Sequence, residues 1–187
     1  LKEGKYVIPD FQRDFEWKPW DITSLIRSIF LDYYIGSLLL WKGKSENFNA
    51  LSCESIYGFN NKRNHESSSL AENPPEFIVL DGQQRLTAMH YAFIAPQLPL
   101  PKRTLQAIYF IRIDLFMDEA YEEAFSYEWI SKKLSRLLEN QESQFEEHFF
   151  PLSVVGKGGY EIYKWFDEYV KYWQSKADQC NEAEVKN

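Results

Sequence analysis

The chain has 187 residues and 22.2 kDa, close to one domain at the usual ~150 residues each. Its 6 Trp, 12 Tyr and 14 Phe make 17% of the length, a load of core-forming rings that excludes a disordered tail. The 21 basic and 28 acidic side chains leave a net −7, which argues against a general polyanion binder.

The two cysteines, Cys53 and Cys180, lie far apart in sequence and without metal-ligand spacing, so neither a disulfide scaffold nor a cysteine zinc site is encoded. No apolar run approaches the ~18 residues of a membrane span, and no signal peptide opens the chain. A soluble, intracellular, globular protein is the expectation. The opening at Leu1 without a Met and the polar run from Ser175 read as cut ends of a longer protein.

A strand-like run opens the chain. The first helix is then signalled by Pro19, whose missing N–H costs nothing in a first turn, and by Asp21 at the positive end of the helix dipole. Ile22, Leu25, Ile26, Ile29 and Phe30 share one face at helical spacing, and the helix is expected to stop near Tyr33, before Gly36. Ser37 to Trp41 is an apolar run of the kind a central strand uses.

Residues 42–75 form a polar insertion with six Ser and six Asn, in which a hairpin around Ile56, Tyr57 and Phe59 is one option. Phe77, Ile78, Val79 and Leu80 predict a buried strand that Asp81 and Gly82 break. Gln83 to Ala95 predicts a helix with Leu86, Met89, His90 and Phe93 on one side. Thr104 to Leu115 predicts another strand, with Ile108, Phe110 and Arg112 on one face and Tyr109, Ile111 and Ile113 on the other.

Phe125, Tyr127 and Trp129 alternate as in a half-buried strand, and 131–147 is expected to be helical. Between Asp118 and Glu147 nine carboxylates face Lys132, Lys133 and Arg136, a net of −6 that reads as a solvated helical face. Gly156-Lys157-Gly158-Gly159 reads as a flexible turn. After it Ile162, Trp165, Phe166, Tyr169, Val170 and Trp173 mark an amphipathic helix. Strands and helices interleave, so the class is mixed α+β.

The chemistry concentrates at Asp81-Gly82-Gln83-Gln84-Arg85. A strand-to-helix turn leaves backbone N–H groups free at the positive end of a helix, which suits an anion. Gly82 permits close approach, Arg85 offers a planar guanidinium suited to phosphate, and Asp81 can hold a divalent cation or orient a water. Gln83 and Gln84 can reach a base, a ribose or the attacking water. The plain alternative is a capped helix with Gln84 and Arg85 solvated.

A second constellation runs from Ile8 to Trp17, where Phe11, Phe15 and Trp17 could bury while Gln12 and Arg13 point elsewhere. Arg13 can grip phosphate or stack on a base. Its alternative is an edge strand with Arg13 paired to Asp10, Asp14 or Glu16. No GxxxxGK[ST] loop occurs, His65, His90 and His148 stand alone, and neither cysteine has a cation beside it to activate a thiolate.

Taken in order, Ile8-Pro9-x-Phe11-Gln12-Arg13-x-Phe15-x-Trp17, Asp21-Ile22, Tyr34-Ile35-Gly36-Ser37 and Val79-Leu80-Asp81-Gly82-Gln83-Gln84-Arg85-Leu86-Thr87 resemble the N-terminal, ParB/sulfiredoxin-like domain of GmrSD-type restriction endonucleases. The resemblance covers roughly residues 5–115 well and the remainder in outline. It implies a ParB/sulfiredoxin-like core over 1–115, a small mixed sheet with flanking helices. Residues 116–187 are then an acidic, mainly helical extension of the same domain.

It further implies a domain that binds and hydrolyses a nucleoside triphosphate with Mg²⁺, in a cytoplasmic prokaryotic restriction or anti-phage defence protein. Asp81, Gln84 and Arg85 would be catalytic, with Asp81 on the metal. Gln12, Arg13, Gly36, Ser37, Gly82 and Gln83 would bind nucleotide. The partners implied are DNA, through the full-length protein, and a C-terminal HNH-like nuclease domain or subunit. No HNH-type segment lies in this chain. The alternative within the same resemblance is a ParB-like DNA-binding module without turnover, and a homo-oligomer is left open.

Overall fold

A computed structural model describes residues 5–43, 51–56, 75–94 and 98–185. The fold is mixed α+β. It divides into two compact units, Leu1–Ala92 with Pro96–Leu105 and Phe93–Ala95 with Gln106–Asn187.

The first unit is built on a four-stranded sheet. Its elements are β1 (Tyr6–Pro9), α1 (Pro19–Phe30), β2 (Leu39–Lys42), β3 (Cys53–Ser55), β4 (Phe77–Asp81) and α2 (Gln83–Met89). The helix then widens into a π-turn over His90–Ile94. The strand order is β2-β4-β1-β3, with β1 and β4 parallel at the centre and both outer strands antiparallel. The apolar runs of β1 and β4 are explained by burial on both faces. Ile8 and Val79 join Ile56 and Leu86, while Val7 and Ile78 turn the other way, toward Leu51 and Cys53.

The apolar run at 37–41 is not a central strand. β2 lies at the sheet edge, and Leu39, Leu40 and Trp41 are all exposed. Composition records how apolar a strand is and not how many neighbours it has.

In α1 the Asp21 carboxylate accepts the N–H of Lys18 at 2.8 Å, satisfying a donor ahead of the first turn. Ile22, Leu25 and Ile26 are buried as expected, but Phe30 is 39% exposed. Eight residues of helix place it about 80° around from Ile22, at the rim of the stripe. The helix ends there, and Asp32 at φ 57° turns the chain. Of the hairpin option, Ile56 is buried, while Tyr57 and Phe59 lie outside the described residues, as do Ala95, Pro96 and His65.

The second unit carries a three-stranded antiparallel sheet in the order β6-β5-β7, from β5 (Ala107–Arg112), β6 (Phe125–Trp129) and β7 (Phe149–Pro151). Its helices are α3 (Ile113–Met117), α4 (Tyr121–Ala124), α5 (Lys132–Glu139), α6 (Gln141–Glu146) and α7 (Gly159–Val185). The strand expected to reach Leu115 stops at Arg112. Asp114 binds the Arg112 guanidinium through both oxygens, at 3.1 and 2.7 Å, and Ile113 begins a helix instead. Burial alone would raise the Asp114 carboxyl, but the hydrogen bonds and charge of Arg112 hold it below the usual range.

The helical stretch at 131–147 is interrupted at Asn140. Its side chain accepts from the N–H of Ser143 and starts α6, as Ser131 starts α5. In α7 Trp165 is buried, whereas Phe166 and Val170, expected on the same side, are 36% and 49% exposed, one position further round the helix.

The glycine segment expected to be a flexible turn is partly ordered into a 3-10 turn, Leu152–Lys157. Gly156 within it presses against the backbone carbonyl of Phe93, so a Cβ there would overlap main chain that cannot rotate away. Gly156→Ala is therefore expected to destabilise the unit by about 1–3 kcal/mol, as an overpacked site does. Gly159→Ala, where a Cβ meets open space, is the control that should not lose stability. Equilibrium urea unfolding of the two variants checks this, and equal midpoints would sink it.

Candidate functional site

Strand β4 ends at Asp81, and Gly82 caps α2 in the left-handed conformation, φ 93° and ψ 12°. The side chain of Leu38 lies where a Cβ on Gly82 would go and is free to turn aside, so it is the left-handed φ that requires glycine here. The N–H of Leu86 closes the first helical bond on the Gly82 carbonyl at 3.0 Å. The amides of Gln83, Gln84 and Arg85 precede it and have no intrahelical acceptor.

Arg85 is 15% exposed in its side chain and held at two points. Its Nη1–H donates to the carbonyl of Ile35 at 2.9 Å, and its Nη2–H to Oδ2 of Asp81 at 3.0 Å. Two of its five N–H donors are thereby used, leaving the others for a ligand. Asp81 is 68% exposed, so its carboxylate is anchored from one side and open on the other. Gly36, at φ 88°, lies against the guanidinium, and a Cβ there would overlap it. Gly36 therefore does meet the 81–85 turn, through Arg85. Ser37 is exposed beside it.

The two glutamines that flank these cations are turned toward main chain. Gln84 is buried; its Nε2–H donates to the Asp14 carbonyl at 2.9 Å, and its Oε1 accepts the Glu16 N–H at 3.0 Å. Gln12 donates through Nε2 to the carbonyls of Val79 at 2.7 Å and Leu80 at 3.2 Å, at the end of β4. Gln83 is also buried. Arg13 is exposed and, among the described residues, forms no ion pair with Asp10, Asp14 or Glu16, the partners its alternative reading required. The two sequence boxes thus form one constellation, joined by Gln12 and Gln84.

With that geometry the comparison with known proteins is decisive. A family model described as "GmrSD restriction endonuclease, N-terminal domain" matches residues 1–152. The chain belongs to this family. An uncharacterized protein of Methanocaldococcus jannaschii is 33% identical over 178 residues, which is 89% of this chain and 29% of that relative. The chain therefore spans less than a third of the relative's length. No solved structure matches it.

No helix among the described residues is long and apolar enough to cross a membrane. Among the described residues no three His, Cys, Asp or Glu side chains gather as a metal site. Asp81 contributes a carboxylate at the turn, open on one side. That fits a Mg²⁺ ion arriving with its phosphates and waters, since Mg²⁺ is commonly held by one or two carboxylates plus substrate.

Burial and then the charge of Asp10 push the Cys53 thiol up, disfavouring its thiolate. Sequence reasoning missed the Ile35 carbonyl that anchors Arg85, the Leu38 side chain over Gly82, and the backbone of 14–16 as the partner of Gln84. No residue type announces any of them, since two are main-chain groups and the third is an apolar side chain.

Proposed function

We propose that this GmrSD N-terminal domain binds and hydrolyses a nucleoside triphosphate at the 81–85 turn, and that nucleotide state gates a nuclease domain elsewhere in the full-length protein. The observation that carries the reading is the Asp81–Arg85 pair: a guanidinium fixed by the Ile35 carbonyl with donors to spare, beside an open carboxylate. Family membership supplies the restriction context.

In this reading the free amides at the start of α2 and the spare donors of Arg85 take phosphate oxygens. Arg13 supplies a second cation against the charge that develops on the transferring phosphoryl group. Mg²⁺, when bound, supplies further charge neutralisation between Asp81 and the phosphates. Asp81 is the residue that would hold it.

The test is phosphate release from each of the four common ribonucleoside triphosphates, with and without Mg²⁺, by the wild-type chain and Asp81→Ala. Metal-dependent turnover is expected, reduced by about a hundredfold or more in the variant, the scale on which one electrostatic group acts. A chain that neither binds nor hydrolyses any triphosphate sinks the reading. Salt-steep DNA binding in its place would point to the ParB-like DNA module.

A further inference from the structure

Two glutamines at the turn direct their amide N–H groups to main-chain carbonyls. Gln84 meets the backbone of 14–16 as a neighbouring strand would, donating to one carbonyl and accepting one N–H two residues on. Gln12 bridges the last two carbonyls before Asp81. Between the clamped residues, Phe15 is buried and stacked on Tyr91, ring centroids 5.9 Å apart at 21°. The loop is pinned by two polar clamps and one apolar anchor. Arg13 sits between those anchors, exposed, without an ion pair among the described residues.

We propose that Gln84, assisted by Gln12, is a positioning residue: it holds the 12–16 loop against β4 and α2 so that Arg13 is presented to the phosphates at the 81–85 turn, and it does not itself touch substrate. The inference rests on the nucleotide reading above. Its chemistry requires a neutral side chain of this length that donates at one end and accepts at the other, which a carboxylate does not do and a thioether, a weak acceptor with no donor, does not do either. A buried clamp whose partners are main-chain groups also tolerates no exchange of its ends, because each reversed contact leaves an orphan.

The experiment is a double-mutant cycle on the triphosphate that the wild type turns over fastest, with Mg²⁺. Arg13→Ala and Gln84→Met are each expected to lower kcat, and with it kcat/KM, about tenfold, the scale of one hydrogen bond to a charged group, because Arg13 acts on charge that develops in the transition state. Arg13→Ala/Gln84→Met is expected to be no worse than Arg13→Ala alone, because Gln84 acts only through Arg13. Effects that multiply, or a Gln84→Met variant that loses kcat in the Arg13→Ala background, overturn the inference while leaving the nucleotide reading intact. A wild-type chain that binds no triphosphate takes down both.

Gln84→Glu gives an independent readout, and carries the cycle if the methionine variant does not fold. Its carboxylate accepts from Glu16 and cannot donate to the Asp14 carbonyl. Protonated, it does both, and burial favours the protonated form. Its activity relative to wild type is therefore expected to rise as pH falls from 7.5 toward 5.5, with Gln84→Met showing no such recovery. A ratio flat with pH counts against the clamp.

Discussion

Arg85→Ala is expected to abolish measurable triphosphate binding, with turnover down at least about a hundredfold, while the chain stays folded. The stability cost follows from its two contacts. Asp81 is 68% exposed, so it is resolvated when its partner leaves, and the ion pair itself contributes little. The Ile35 carbonyl loses a charged donor from a side chain that is only 15% exposed, a penalty of about 1–3 kcal/mol. In the proposed reading the functional cost is larger, because the same guanidinium also donates to the phosphates.

Arg85→Lys separates the two. An ammonium can satisfy the Ile35 carbonyl or Asp81 but lacks the planar fork that reaches both and a phosphate besides. It should recover part of the stability and little of the binding. Gly36→Ala should lose binding from the other side, since its Cβ would displace the guanidinium, and should lose stability as well, since alanine is strained at φ 88°. Calorimetric titration with Mg-triphosphate and urea unfolding give the two quantities. Wild-type affinity in Arg85→Ala would place the phosphates elsewhere.

How much of this site the sequence discloses depends on the range of each contact. The turn at 81–85 is local: an apolar run, then Asp-Gly, then helix formers, and the fold has a strand, a left-handed glycine and a helix in that order. The hydrogen bonds of Gln84 are not local, because their partners lie 68 and 70 residues away and are backbone atoms that every residue carries. A glutamine beside an arginine in a phosphate-like turn gives no sign in the sequence of the main chain it bonds.

The same limit explains the strands. β2 and β4 are both apolar runs, and only the pairing shows that one is an edge and the other is flanked on both sides. β7, three residues long, is too short for any period and owes its existence to β5 beside it. Helix α7 was legible for the opposite reason: its pattern repeats over several turns, and Trp165 at its middle is buried as that pattern requires.

Trp165→Ala is expected to cost the second unit about 3–5 kcal/mol, the largest stability loss of any substitution considered, because one ring joins several elements. Trp165 is 4% exposed. It meets Phe150 of β7 at 4.8 Å, edge to face at 71°, and Phe145 of α6 at 5.1 Å and 80°, geometries that aromatic pairs favour. Tyr169, one turn on, stacks with it at 5.3 Å and 13°.

Its indole N–H also donates to Oε1 of the buried Gln144 at 3.1 Å, while the Gln144 amide donates to the carbonyls of Leu137 and Leu138 near the end of α5. Removing the indole opens a cavity and strips the amide of a partner that water could not readily replace. Trp165→Phe keeps most of the ring contacts and isolates the hydrogen bond, so it should lose about 1–2 kcal/mol. Urea midpoints of the two variants should therefore fall in that order below wild type, with Tyr163→Ala, on a residue 70% exposed, close to wild type. If Trp165→Ala unfolded no earlier than Tyr163→Ala, α7 would not be held to β7 and α6 by this ring, and its exposed and buried faces would have to be reassigned.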